Sequence, residues 1–84
     1  MVILNVDKTN EFVKTYKKIR NNLLKEKVKK QIRKIIENPE IGKPMRNVRK
    51  GTREVYISPY RLSYSYIEKE QKIIILELYH KDEQ

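Results

Sequence analysis

Arg61, Glu54, His80 and Lys81 are the residues of this 84-residue chain whose types suit proton transfer and charge stabilisation at a phosphate. Cutting an RNA strand without a metal requires the ribose 2′-hydroxyl to attack the adjacent phosphorus. That step needs a base, an acid for the leaving 5′-oxygen, and positive charge against the developing phosphorane. Arginine suits the last task because its fork of donors stays protonated and matches phosphate geometry, so Arg61 is the candidate. His80 is the single histidine and the one side chain with an ordinary pKa near neutrality, which makes it the natural proton carrier. Glu54 is the alternative base. Lys81, Arg53, Arg46, Arg49 and Lys50 are candidates for holding phosphates, and the rings of Tyr56 and Tyr79 for stacking on bases. Plainer roles fit the same residues: an arginine beside tyrosine on a sheet often makes an ion pair or a cation–π contact, and a histidine near a chain end is often simply solvated.

Positioning these groups falls to a small set of elements. Met1 to Val6 is a short β-branched apolar stretch ending at Asp7, which reads as a strand, with Asp7, Thr9 or Asn10 capping the helix that follows. Phe12, Val13, Tyr16 and Ile19 recur at helical spacing with lysines between them. Asn21 and Asn22 interrupt the pattern. A second helix carries Leu24, Val28, Ile32, Ile35 and Ile36 on one face as far as Glu37 and stops at Asn38 and Pro39. Its lysines at 25, 27, 29, 30 and 34, with Arg33, read first as a solvated face and second as an RNA-facing patch. A helical hairpin of this kind must bury its apolar stripe against another element.

The sheet is that element. Thr52 to Ser58, Tyr60 to Ile67 and Lys72 to Tyr79 are rich in tyrosine, isoleucine and valine, and turns at Ser58-Pro59 and Glu68 to Gln71 separate them. They predict a three-stranded antiparallel meander. Ile41 to Gly51 reads as a basic connector with little core-forming material. Period-two alternation sends Val55, Ile57, Leu62, Tyr64, Tyr66, Ile74, Leu76 and Leu78 to the helices. It leaves Glu54, Tyr56, Arg61, Ser63, Ser65, Glu77, Tyr79 and Lys81 on the open face, with His80 at the strand's end. The fold class expected is α+β: an N-terminal strand, an antiparallel helical hairpin, then the meander, with the helices on one sheet face, in a single domain over residues 1–84.

Composition bounds what such a domain binds. Twenty Lys and Arg against 11 Asp and Glu leave a net charge of +9, so the natural partner is a polyanion, nucleic acid first. With no cysteine, disulfides, thiolate nucleophiles and thiolate zinc sites are excluded. No metal or cofactor is expected. No apolar run exceeds that of Ile73 to Leu76, far too short for a bilayer, and the first residues lack the features of a leader peptide, so a cytoplasmic protein without a membrane partner is expected.

Strand, two helices, three strands in a basic chain of this size resembles the RelE/ParE superfamily of toxin–antitoxin modules. Tyr60-Arg61-Leu62-Ser63-Tyr64 is similar to that family's Y-R-hydrophobic-x-Y strand, preceded by Gly51-Thr52-Arg53 and the Ser58-Pro59 turn. His80-Lys81-Asp82 resembles its basic endings, and the details look most like archaeal RelE-type toxins. The resemblance implies an mRNA interferase that enters the ribosomal decoding site, cleaves messenger RNA to a cyclic phosphate and arrests translation. It implies Arg61 as the transition-state arginine, Lys81 where many members carry a second arginine, and His80 as acid or base. It also implies silencing by an acidic RelB-like antitoxin, in a heterodimer that pairs into a heterotetramer and covers Arg46, Arg49, Lys50 and the second helix. Glu54 and Tyr56 depart from the family, standing where many members have Lys or Arg. Two other functions fit the same fold: inhibition of DNA gyrase, as in the ParE branch, and a basic RNA-binding module with no chemistry.

Overall fold

In a computed structural model, residues 5–46 and 50–83 are described. The predicted elements are present. Strand β1 spans Asn5–Lys8, helix α1 Asn10–Lys18, helix α2 Asn22–Glu37, strand β2 Lys43–Pro44, β3 Arg53–Ile57, β4 Tyr60–Ile67 and β5 Lys72–His80. Short 3-10 turns follow β4 at Glu68–Glu70 and β5 at Lys81–Glu83. The described part of the first strand runs past the predicted end at Val6 to Lys8, and the Met1–Leu4 part of the prediction lies outside the described residues. No helix among the described residues is long and apolar enough to cross a membrane.

Each helix begins where the sequence supplies a cap. Thr9 accepts from the backbone N–H of Phe12 at 3.1 Å, and Asn21 accepts from Leu23 and Leu24 at 2.9 and 3.2 Å; caps of this type contribute about 1 kcal/mol each. Asn38 and Pro39 end α2 as expected. The apolar stripes then meet one sheet face. Phe12, Ile19, Val28 and Ile35 are buried with Ile57, Leu62, Tyr64, Ile73, Ile75 and Leu78, and Val13, Tyr16, Leu24, Ile32 and Ile36 pack around them. α1 lies over β5 and α2 over β3.

The sheet has five strands in the order β1-β5-β4-β3-β2. β1 runs parallel to β5, while β5, β4, β3 and β2 are antiparallel in succession. The β3–β4 turn holds a cis Ser58-Pro59 peptide. Gly51, with φ of +95°, sits in the left-handed region just ahead of β3, where a side chain would be strained.

One expectation about faces is corrected. Ser63 pairs with Glu77 but Tyr64 pairs with Ile75, so Leu76 is an extra residue on β5 with no partner on β4. The bulge reverses the alternation along β5. Ile73 and Ile75 are fully buried, whereas Ile74 and Leu76, expected in the core, are only half-buried. The bulge is tied down: the Thr9 hydroxyl donates to the Leu76 carbonyl, and the Thr9 N–H donates to Ile75 O at 3.0 Å. The cap of α1 is thus also its fastening to the sheet.

A second correction concerns the basic connector, which contains β2. Tyr64 is fully buried, and its Oη donates to Pro39 O at 2.6 Å and accepts from Gly42 N at 2.9 Å. Arg53 Nη1 donates to the carbonyls of Glu40 and Gly42 at 3.1 and 2.8 Å. These four bonds clamp the segment after α2 against β3, so that Lys43 pairs with Glu54 and Pro44 with Arg53. Gly42 is required by close approach: a Cβ there would lie 2.7 Å from the Tyr64 ring.

Candidate functional site

Cross-strand register decides which side chains share the face away from the helices. Tyr56, Arg61 and Tyr79 form one row across β3, β4 and β5, and Lys43, Glu54, Ser63 and Glu77 form the next across β2 to β5. Partners in a row point the same way. The two rows bring Lys43, Glu54, Tyr56, Arg61 and Tyr79 together, and Arg61 is held in the middle of the sheet by strands on both sides.

Glu54 is the centre of the cluster. It is only 7% exposed, and an unpaired carboxylate at that depth would cost several kcal/mol. Its partners account for its burial: the Tyr79 hydroxyl donates to Oε2, and Arg61 Nη1 lies 3.8 Å from Oε1. The Arg61 side chain keeps 38% of its surface exposed, so part of its fork of donors remains open to a ligand. Beside it opens a cleft of about 850 Å³, lined by Lys43, Pro44, Met45, Arg46, Glu54, Val55, Tyr56 and Arg61. Three cations face one carboxylate there, a lining that favours an anion. Tyr56, 53% exposed, presents its ring at the rim. Together these groups can hold a phosphate, take up a proton at Glu54 and stack a base on Tyr56.

The candidates named from the sequence divide between the two sides of the sheet. Arg61, Glu54, Tyr56 and Arg46 come together at the cleft. Tyr79 is on the same face, but its ring is only 7% exposed, so in place of the stacking surface expected it is the hydrogen-bond donor to Glu54. Arg53 alternates to the helix side, and its guanidinium is engaged by the Glu40 and Gly42 carbonyls. His80 pairs with Tyr60, on the side of Leu78, and not with Arg61; its ring meets the Tyr60 ring edge-on and its Nδ1 lies 3.6 Å from Asp82 Oδ2. Lys81 is exposed in the 3-10 turn after β5, with its N–H bonded to Pro59 O at 3.1 Å, and does not line the cleft. Lys50 is exposed in the turn before β3 and is likewise no part of the lining. Arg49 lies outside the described residues. Lys43 was missed as a site residue: Gly42-Lys43-Pro44 reads locally as a turn, and only pairing with Glu54 gives it a face. Among the described residues no three His, Cys, Asp or Glu side chains gather as a metal site would require.

A mixed five-stranded sheet, two helices on one face and a cation-lined cleft on the other define a RelE/ParE-type toxin fold, and solved structures superpose on it. The "YoeB/ParE toxin from Agrobacterium tumefaciens" matches with a TM-score of 0.82 at 17% identity, over 92% of this chain and 98% of that one. The toxin–antitoxin complex RelBE2 of Mycobacterium tuberculosis gives 0.78 at 24% identity, over 92% and 96%. The archaeal RelE-RelB complex of Pyrococcus horikoshii OT3 gives 0.76 at 18% identity over the whole of both chains. No curated protein matches in sequence. Residues 6–84 match the family described as "ParE toxin of type II toxin-antitoxin system, parDE". The chain belongs to this family of toxins.

Proposed function

We propose that this toxin is a ribosome-dependent endoribonuclease that cleaves messenger RNA without a metal and so arrests translation in the cytoplasm. The observation that carries the reading is Arg61 beside the buried Glu54 in a cleft lined by two further cations. Glu54 takes the proton of the ribose 2′-hydroxyl, whose oxygen attacks the adjacent phosphorus. Arg61 donates to the phosphoryl oxygens as charge builds on them. Scission of the bond to the 5′-oxygen leaves a 2′,3′-cyclic phosphate. Lys43, the one ammonium among the described residues lining the cleft, is the group suited to protonate the departing oxygen. Tyr56 stacks against a neighbouring base. An acidic RelB-like antitoxin silences the toxin by covering the same cations, in a heterodimer that pairs into a heterotetramer. Support for that partner comes from relatives whose structures are antitoxin complexes.

The test uses purified ribosomes programmed with a messenger RNA. The wild-type toxin cuts the bound transcript. Arg61→Ala slows cutting by about 100-fold or more, the usual loss when one donor to a developing oxyanion is removed. Glu54→Gln falls by a comparable factor of about 100 to 10,000, the usual contribution of a general base. His80→Ala stays close to wild type, because its imidazole lies on the other side of the sheet. Undiminished cutting by a folded Arg61→Ala protein would remove the catalytic assignment. The parDE family match favours a second reading, inhibition of DNA gyrase; intact transcripts together with inhibited supercoiling by purified gyrase would establish it in place of the first.

A further inference from the structure

Tyr56 lines two grooves. On one side is the Arg61 cleft; on the other is a smaller groove of about 190 Å³ between α2 and the β3–β4 turn, lined by Lys27, Lys30, Gln31, Lys34, Tyr56, Ile57 and Ser58. We infer that this second groove is a polyanion subsite, which continues the Arg61 cleft past Tyr56 and takes the sugar-phosphate backbone of the same single-stranded RNA. The inference rests on the nuclease reading of the cleft and adds to it a track for the strand beyond the scissile phosphate.

Charge and spacing carry the argument. Lys27, Lys30 and Lys34 stand at three- and four-residue intervals along one side of α2, all exposed. No carboxylate lines the groove, and none pairs with these three lysines among the described residues; Glu26, on the same helix, pairs with Lys29 instead. At 1.5 Å of rise per residue, Lys27 to Lys34 covers about 10 Å, the length of about three stacked nucleotides at about 3.4 Å each. The helix that carries the lysines is anchored, because Val28 and Ile35 on the adjoining side of α2 are fully buried in the core. An exposed ring between two rows of cations is the arrangement by which single strands are held without sequence preference, with phosphates on the cations and a base on the ring. An amphipathic helix of a protein partner would need an apolar trough, and Ile57 is the one aliphatic residue in this lining.

The experiment compares two labelled RNAs by fluorescence anisotropy across a salt series: a trinucleotide, which fills only the Arg61 cleft, and a dodecanucleotide, which reaches past Tyr56. The variant carries Lys27→Gln, Lys30→Gln and Lys34→Gln, substitutions that keep helix propensity, and its thermal unfolding is checked against wild type. Wild type is expected to bind the longer RNA more tightly. The triple variant loses that advantage, binds the trinucleotide as before, and shows a salt slope for the dodecanucleotide shallower by about two, since each phosphate no longer neutralised removes about 0.7. Undiminished dodecanucleotide binding by the triple variant, where Arg61→Ala does weaken it, overturns this inference alone. A triple variant that instead loses only an acidic protein partner also overturns it and makes the groove a protein interface. Wild-type protein that binds neither RNA overturns the inference, while cutting on programmed ribosomes decides the reading of the cleft separately.

Discussion

Glu54 and Tyr79 are two residues whose roles come from their surroundings more than from their types. A carboxylate on a sheet face is ordinarily solvated, yet Glu54 is buried, and it is stable there because the Tyr79 hydroxyl donates to one oxygen and Arg61 stands by the other. Tyr79→Phe takes away a donor while preserving the ring's packing. It should lower unfolding stability by about 1–3 kcal/mol, the usual cost of leaving a buried acceptor short of its partner. Urea unfolding at neutral pH measures this, and an unchanged midpoint would show that the hydroxyl contributes nothing. The sequence makes legible that Arg61 and Glu54 share the open face, since strand alternation alone sends both there. It does not make legible that Tyr79 binds Glu54: a tyrosine beside a basic strand end looks like a stacking ring until its exposure is known.

At the scale of elements, β2 completes the site and the β5 bulge fastens α1 to the sheet, and neither has a local sequence signal. β2 exists because Tyr64 and Arg53, some 10 to 25 residues later in the chain, hold the carbonyls and an N–H of the segment after α2. Burial also raises the pKa of the Tyr64 phenol above its ordinary value of 10.0, with the Gly42 hydrogen bond and the charge of Arg53 acting more weakly in the opposite direction. Its folded pKa then exceeds its unfolded one. The folded chain keeps that proton after the unfolded chain has lost it, so the stability is complete below pH 10 and declines as pH rises further. Tyr64→Phe should cost about 1–3 kcal/mol at neutral pH by unpairing the Gly42 and Pro39 groups, and should lose stability less steeply than wild type in alkali. Urea midpoints of both proteins at neutral pH and above pH 10 check it; parallel alkaline losses would show that Tyr64 is not the titrating group. The bulge was hidden for a different reason. Ile73, Ile74, Ile75 and Leu76 are all apolar, so either alternation buries two of them, and only pairing with β4 selects Ile73 and Ile75.

For the molecule as a whole, +9 on 84 residues is the dominant fact. Like charges at this density repel one another in the compact state, while the exposed pair Lys29–Glu26 and the partly exposed Lys72–Asp7 add little. Raising sodium chloride from low concentration to about 0.5 M, which shortens the screening length to a few ångströms, should therefore raise the melting temperature. A fall, followed by calorimetry, would mean that ion pairs outweigh the self-repulsion. The chain's own sequence determined its class: helix periodicity, caps at Thr9 and Asn21, turn residues and β-branched runs are local properties, and they specify two helices, a meander and a basic surface. Tertiary structure alone decided which cations meet Glu54. Lys43 reaches the cleft through its register with Glu54, whereas Arg53 and His80 fall on the helix side in step with Val55 and Leu78. Register is fixed by contacts between residues far apart in the chain, and a single-residue slip moves a side chain to the opposite face of the sheet.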